Sequence, residues 1–567
     1  MIKLLLLFLC ASCFFSLSKT EATWLADGIP VSTVPSKKSN QWRPQIIGDG
    51  FGGVVIVWGD SRLQEIGYYD VFAQRLNAAG DPIWAADGIA VCTLAKSQQL
   101  PVLTSDGANG AIIAWADSRN GNTNYDLYAQ RVSANGVPLW TDQGIPICTE
   151  AGGQYSPKIV SDGTSGALIT WEDYRNGPGN IYAQRLDSTG VSLWTAGGVP
   201  ICTLIYQYDP TLVSDGAGGA IITWQSFNGF DYDIRAQRMS SSGVPMWAEN
   251  GINLTPIPEW QVDPALIRDG DGGAIITWYD LRSGDYDVYA QRIDGDGSRL
   301  WMANGVTICD APRDQAITAI GSDNFGGAII AWEDLRNGLD RDIYAQRVDS
   351  DGVSLWAANG EPICAAPFDQ QRVSMGSDLN GGAIFTWADS RRDTIDFSDI
   401  YAQHVDAAGS PMWFPDGLAV CSASGEQYYP EIVSNQPGHA IVTWSDARSP
   451  GTAFDVYAGE IPLSVAGVGD SLIPPRLLSV SQNRPNPFRG TSVIPIQIQE
   501  DGDVVFEVYS LSGVLVFSRN YLGLRAGHHN LVFKDVRPDG HHLPAGVYYF
   551  RVGALGETHM ASMVIRH

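Results

Sequence analysis

The sequence predicts an all-β protein: an eight-bladed β-propeller closed by its own N-terminal strand and followed by a small β-sandwich. Three observations carry this. A tryptophan opens the same pattern at 24, 84, 140, 194, 247, 301, 356 and 413, and a second recurs inside each unit at 58, 115, 171, 224, 278, 332, 387 and 444. Each unit reads as four short strands ended by tight turns; from Tyr155 the pieces are YSPKIVSDG, GALITWEDYR, NIYAQRLDSTG and VSLWTAGGVPIC, labelled A to D. β-Branched and aromatic residues fill them, Gly, Asp, Asn and Ser bound them, and no sustained 3.6-residue apolar period with caps appears. Finally, the first copy (Trp24 to Thr33) supplies a lone D strand and the last stops after its C strand (Asp455 to Leu463), so the two ends are complementary in phase. Radial four-stranded units share a core and leave only short edges, and the N-terminal D strand completes the last A-B-C set.

In chain order, Met1-Ile2-Lys3 and the apolar run from Leu4 to Phe15 read as a secretory signal peptide over residues 1–22, too short to span a bilayer. Small residues fit cleavage after Ser18 or after Ala22, and the second leaves the repeat beginning at Trp24 whole. A lipoprotein reading at Cys13 is weaker, because Cys10 stands where a lipobox wants Leu. No later stretch approaches ~20 uninterrupted apolar residues, which predicts no transmembrane segment in the mature chain. The formal charge of −26, from 36 Lys and Arg against 62 Asp and Glu, argues against nucleic acid and anionic membrane surfaces as partners.

Residues 23–463 form the predicted propeller. Cys92, Cys148, Cys202, Cys309, Cys364 and Cys421 each stand eight residues after an opening tryptophan, and equivalent positions of neighbouring blades lie beyond the ~7 Å Cα limit for a disulfide. They read as buried, unpaired thiols. Spacing from the SDG turn to the B-strand Trp, and from the C-strand Arg or His to the next opening Trp, is constant. The A-B and C-D turns therefore make a uniform face, where DGDG at 294–297 reads as a turn and not a calcium loop. The B-C and D-A connections vary in length or composition, and loops held on a rigid scaffold are the usual place for binding residues.

Within the D-A loops a glutamine stands three residues before a Pro, Thr or Val in every unit: Gln41, Gln98, Gln154, Gln207, Gln261, Gln315, Gln370 and Gln427. Aromatic neighbours accompany several, namely Trp42, Tyr155, Tyr208, Trp260 and Tyr428. An amide beside an aromatic face suits carbohydrate, the amide meeting hydroxyls and the ring an apolar sugar face. This makes Gln41, Trp42, Gln154, Tyr155, Gln207, Tyr208, Trp260, Gln261, Gln427 and Tyr428 the candidate ligand-binding residues. Against this, a residue present in every blade more often ties loop backbone than binds ligand.

W-x-D-x-R (Trp171, Asp173, Arg175 and equivalents) and D-x-Y-A-Q-R (Asp287 to Arg292 and equivalents) resemble charge-based catalytic constellations, but a catalytic site is one asymmetric arrangement and repetition points to scaffold. Strict pairing between the B-strand Asp and the C-strand Arg is not supported, because Ser226 replaces the Asp while Arg238 is kept, and Asp446 is kept opposite Glu460. Buried hydrogen bonding to turns is the plainer reading. Sialidase-type S-x-D-x-G-x-T-W boxes, G-x-S-x-G, H-E-x-x-H and Cys/His zinc patterns are absent. No catalytic residue, metal ligand or cofactor is therefore assigned, although an Asp/Glu pair for glycoside hydrolysis stays open among many carboxylates.

Residues 464–478 read as a linker. From Ser479 the alternation of Val504, Phe506 and Val508 against Val505, Glu507 and Tyr509 describes a β-sandwich with one buried face per sheet. Its most specific segment is Gln482-Asn483-x-Pro485-Asn486-Pro487-Phe488, followed by Val508-Tyr509-x-x-x-Gly513, Ala526-Gly527-x-His529 and Gly546-Val547-Tyr548. Over about 90 residues this resembles the C-terminal sorting domain of type IX secretion substrates of Bacteroidetes-like bacteria, and the related Ig-like domain of flagellar hook-capping proteins; Phe533 stands where the pattern usually has Trp. The resemblance implies an Ig-like fold for 479–567, the type IX secretion machinery as partner, and an extracellular or outer-surface location. The His528-His529 and His541-His542 pairs fall at loop positions and read as solvated turn residues.

The expected function is a secreted or surface-attached, non-catalytic propeller binding a glycan or another surface polymer through its variable face. The rival is an extracellular glycan-processing hydrolase or lyase on the same scaffold.

Overall fold

The computed structural model describes residues 24–32, 40–63, 68–121, 124–392, 397–436, 439–449, 453–462, 478–480, 483, 486–498, 500–510, 515–536, 542–554 and 557–566. The expected signal peptide, the loop bearing Lys37 and Lys38, and residues 464–477 of the expected linker lie outside the described residues. Among those described, every regular element is a β-strand.

Residues 24–462 build eight four-stranded antiparallel sheets arranged as a β-propeller. The third sheet shows the plan: Gln154–Ser161, Ala167–Asp173, Asn180–Leu186 and Val199–Cys202 follow one another in space as in sequence. Each A strand contacts the A strands of the sheets before and after it, and Gln41–Gly48 contacts Gln427–Gln436, so eight A strands surround a central channel. In the eighth sheet the outermost strand is Ile29–Ser32, which pairs with Asp455–Pro462 in the register Ile29 opposite Ala458. The complementary phase of the chain ends thus closes the ring, and no sheet edge is left without its D strand.

Packing follows from the B strands, which carry long apolar runs because each sheet is covered on both faces by its neighbours. Ala167–Asp173 is buried along its whole length. The indole of its Trp171 is fully buried, as are the seven equivalents. At about 25 cal/mol per Å2, burying an indole of about 200 Å2 contributes roughly 5 kcal/mol. The chain approaches this ring closely before strand D, where Gly198 has φ +92° and a Cβ would lie 2.4 Å from Trp171. A side chain at that position would have to displace the indole.

Both repeated charged motifs are scaffold. Asp173 accepts from Trp171 Nε1 (2.8 Å) and takes a two-point bond from Arg175, whose Nη2 also donates to Gly197 O and whose guanidinium lies 4.1 Å from the Tyr182 ring. On the uniform face, Asp162 accepts from the backbone N–H groups of Thr164 and Gly166 and from Arg185 (2.8 Å). Arg185 and Trp194 both donate to Ser241 O, a turn of the next sheet. Pairing is therefore regular, but its partners differ from the B-to-C pair considered from sequence: the B-strand Asp holds the Arg of its own turn, and the C-strand Arg holds the Asp of the A-B turn.

Departures are compensated. Where Ser226 replaces the Asp, Trp224 Nε1 donates to Gln207 Oε1 instead (2.7 Å). Where the C-strand Arg becomes Glu460, the partner is His439 at 3.0 Å, and His404 keeps Asp378 at 3.1 Å. The six described cysteines are buried and unpaired. Burial pushes the Cys148 thiol up to about 12, so it stays protonated.

At the C-terminal end, Leu478–Val480, Thr491–Ile498 and Gly527–Lys534 form one sheet; Leu515–Leu524, Gly502–Ser510, Gly546–Ala554 and Glu557–Ile565 form another. They share a core of Ile494, Ile496, Phe506, Phe533 and Phe550, the arrangement expected of a sandwich. Gln482 and Pro485 lie outside the described residues. Asn483 donates to Ser492 Oγ (2.8 Å), Asn486 accepts from Val564 N (2.8 Å), Pro487 is exposed, and Phe488 is buried 5.9 Å from Phe533. His528 and His529, expected at loop positions, lie instead in the strand Gly527–Lys534 opposite Gln497 and Ile496; His529 donates to Arg525 O, His542 Nδ1 lies 2.9 Å from Asp535, and no group of three or more potential metal ligands occurs among the described residues.

Candidate functional site

The site is built by one irregularity repeated eight times. Each A strand starts in register with its B strand, then shifts between its second and fifth residues. At that bulge the third residue is left-handed: Arg43, Leu100, Ser156, Asp209, Asp263, Ile317, Arg372 and Tyr429 have φ between 50° and 59°. A bulge of this kind re-aims a side chain out of the ladder. The conformation costs about 1–2 kcal/mol for a residue with a Cβ, and none of the eight is glycine.

These residues stand at the B-C/D-A end of the A strands, at the mouth of the channel. Lys158, two residues further along the third sheet, acts electrostatically on Asp209 and Asp263 of the next two sheets and on Glu431 of the eighth. Groups so far apart around the ring meet only across the channel.

The expected glutamines do not reach it. Gln41, Gln154, Gln207, Gln261 and Gln427 are fully buried, with the other three. Gln154 Nε2 donates to Glu150 O and Gly152 O, Gln207 to Ile205 O, Gln261 to Glu259 O and Gln427 to Gly425 O. Their backbone stitches sheets together as well, Gln154 N donating to Tyr125 O of the sheet before. Gln41 performs the same service at ring closure, accepting from Val456 N and donating to Ser32 Oγ. The amide nitrogens are occupied by loop backbone, which is why the residue repeats.

The expected aromatic residues surround the mouth. Tyr155 lies between Tyr125 and Tyr174, at 5.7 and 5.5 Å. Tyr208 and the 41% exposed Trp260 flank Tyr232, at 6.4 and 5.5 Å. Trp42 and Tyr428 both pack edge-on against Tyr429, at 4.8 and 4.7 Å.

Around the ring the third residues divide into two arcs. On one side, Glu172 accepts from Asp209 N (3.0 Å) and from Tyr174 Oη (3.1 Å). Gln225 donates to the Asp209 carboxylate (2.6 Å) and accepts from Asp263 N (3.2 Å), and Tyr279 Oη donates to the Asp263 carboxylate. Burial raises Glu172, Asp209 and Asp263 above the ordinary carboxylate range. Asp263 goes furthest, to about 6, because the Asp209 charge adds to burial and Lys158 opposes only in part.

Opposite, the seventh, eighth and first sheets bring Arg372, Tyr428, Tyr429, Trp42 and Arg43 together. The Arg43 and Arg372 guanidinium groups lie 5.0 and 5.1 Å from the centre of the same Tyr429 ring. Arg43 Nη2 donates to Tyr429 Oη (3.3 Å) and Arg372 Nε to Tyr428 Oη (3.4 Å). Below them Glu431 accepts from Ser374 Oγ and Gln45 Nε2. The mouth therefore offers carboxylates and phenols on one side and cations over aromatic rings on the other.

Sequence reasoning missed Arg43, Glu172, Asp209, Asp263, Arg372 and Tyr429. For all of these but Glu172, which lies on a B strand, the signal was present in the aligned repeats: two residues after an invariant glutamine, one column reads Arg, Leu, Ser, Asp, Asp, Ile, Arg, Tyr.

No family model matches the chain, and no curated protein matches it. Among solved structures it is similar to a protein of unknown function from Dyadobacter fermentans, at 11% identity over 76% of this chain and 97% of that one, with a TM-score of 0.35. It is similar to an α-L-arabinofuranosidase of Fusarium graminearum, at 14% identity over 54% and 92%, TM-score 0.29. It is also similar to the polysaccharide lyase Uly1, at 10% identity over 68% and 93%, TM-score 0.37. Overlaps this loose transfer neither ligand nor chemistry to this chain.

Proposed function

We propose that the protein is a secreted or cell-surface, non-catalytic binding module, an eight-bladed propeller that takes a glycan or another polyhydroxylated surface polymer at the mouth of its channel. One observation carries the reading: the third residues of the A strands, held left-handed around the mouth, differ from sheet to sheet while the scaffold beneath them repeats. A shaped, asymmetric rim with phenol, amide, carboxylate and aromatic groups suits hydroxyls and apolar sugar faces. Titration against a panel of neutral and acidic polysaccharides tests it. Tyr429→Ala with Trp42→Ala should weaken the best ligand at least tenfold at unchanged thermal midpoint; unaltered binding would move the site elsewhere.

The second reading, a glycan-processing enzyme, is favoured by the Asp209–Asp263 pair. Two carboxylates of neighbouring sheets, one with a pKa of about 6, are the kind of acid and base that glycoside hydrolysis needs. Turnover of a bound polysaccharide that disappears in Asp263→Asn would replace the binding-module reading.

For residues 479–567 we propose an Ig-like sorting domain read by the type IX secretion machinery, with cleavage of residues 1–22 at the inner membrane. Cell fractionation checks it: a chain ending at Leu463 should accumulate in the periplasm, and its appearance in the medium at parental levels would remove the assignment.

A further inference from the structure

Many arginines of this protein are committed to ion pairs. In a chain of charge −26, the repeat arginines each hold a buried Asp, as Arg175 holds Asp173 and Arg185 holds Asp162. Arg43 and Arg372 break this rule. Both are exposed at the mouth, neither forms an ion pair among the described residues, and their hydrogen bonds go to phenol oxygens. Glu333 acts electrostatically on Arg372, but it accepts that residue's backbone N–H (2.7 Å) and pairs with the Arg341 guanidinium (3.4 Å).

Two like charges are thus drawn to one aromatic ring, and the Glu431 carboxylate below them is bonded to Ser374 and Gln45. Cation–π attraction to Tyr429 offsets part of their repulsion. Two guanidinium groups beside one ring present N–H donors of the kind that carboxylate and sulfate oxygens accept. The acidic arc stands across the channel, so an anion is accepted at the Arg43–Arg372 side and repelled from the Asp209–Asp263 side.

We infer that Arg43 and Arg372, both drawn to the Tyr429 ring, bind the anionic group of an acidic polysaccharide, a carboxylate or a sulfate on a sugar ring. The inference rests on the glycan-binding reading of the mouth and adds the charge of the ligand. The neutral remainder of the polymer then crosses toward Asp209 and Asp263, which accept from its hydroxyls. The overall negative charge makes this specific, because a polyanion is repelled by the rest of the surface and is held only where two cations converge.

Calorimetric titration of the full chain with polygalacturonate (carboxylate), dextran sulfate (sulfate) and the neutral polymers dextran and xylan tests it. One acidic polymer should bind at least tenfold more tightly than either neutral one, and which of the two does so identifies the anion. Arg43→Gln with Arg372→Gln should remove that preference at an unchanged thermal midpoint. Arg299→Gln, the loss of one positive charge on the opposite face, should leave it intact. Preference for neutral polymers, or an acidic preference that survives the double substitution, overturns the anion site while the mouth remains a glycan site. Failure to bind any of the four polymers removes both.

Discussion

The glutamine that begins each A strand and the residue two places after it are separated by one position, yet the first is the same in all eight sheets and the second is Arg, Leu, Ser, Asp, Asp, Ile, Arg or Tyr. The glutamine is fully buried and in seven sheets its amide nitrogen donates to loop carbonyls, so an apolar side chain there would leave those carbonyls without that donor. The third residue is turned out of the ladder by the bulge and meets the channel, where its partners differ from sheet to sheet. In a repeat protein, what recurs answers to packing, and what varies at a fixed position in the same backbone is free to answer to a ligand.

The sharpest way to break this contrast is at the buried ring. Gln154→Ala removes the donors to Glu150 O and Gly152 O and leaves a cavity, and should destabilise the propeller by about 2 kcal/mol. A thermal midpoint lowered by several degrees is expected; one within a degree of the parent would show that the glutamine is not structural.

Titration of the rim gives an intermediate effect. The Asp263 carboxyl is held up to about 6 in the folded chain against an ordinary value of 3.8, so the folded state keeps this proton longer than the unfolded state does. The group therefore supports the fold at low pH and loses that contribution as pH rises from about 4 through about 6. Asp263→Asn should gain in thermal midpoint over the parent progressively across that window and hold the gain above it. A difference between the two that does not change from pH 4 to pH 8 would refute the shift.

The smallest effect is expected at Ile317, a β-branched, exposed residue at φ 54°. Ile317→Gly relieves the left-handed strain, and the gain outweighs the extra freedom of the unfolded chain by about 0.5 kcal/mol. Chemical denaturation should show slight stabilisation; a loss would mean that the side chain packs at the mouth.

Much of the scaffold was legible because it depends on local chemistry repeated in register. The tryptophan period, the Gly and Asp turns and the phase of the two chain ends gave the four-stranded sheets and the closure by Ile29–Ser32. The thiols at 92, 148, 202, 309, 364 and 421 were legible as unpaired from their spacing alone. The charged motifs were readable as scaffold but not as pairs, since Asp173 bonds two residues away and Asp162 bonds 23 away, and only folding tells the two apart.

By itself the sequence determined the repeat, its strands and turns, and the face on which variation gathers, all of which are set by side-chain period and turn residues over a few positions. The tertiary structure alone decided that the glutamines turn inward and that the next exposed residue is left-handed, because a bulge shifts the alternation that a reader of sequence must assume. It also decided the company each rim residue keeps. Arg43 and Tyr429 are 386 residues apart and meet only because the ring closes, so no local pattern records their contact.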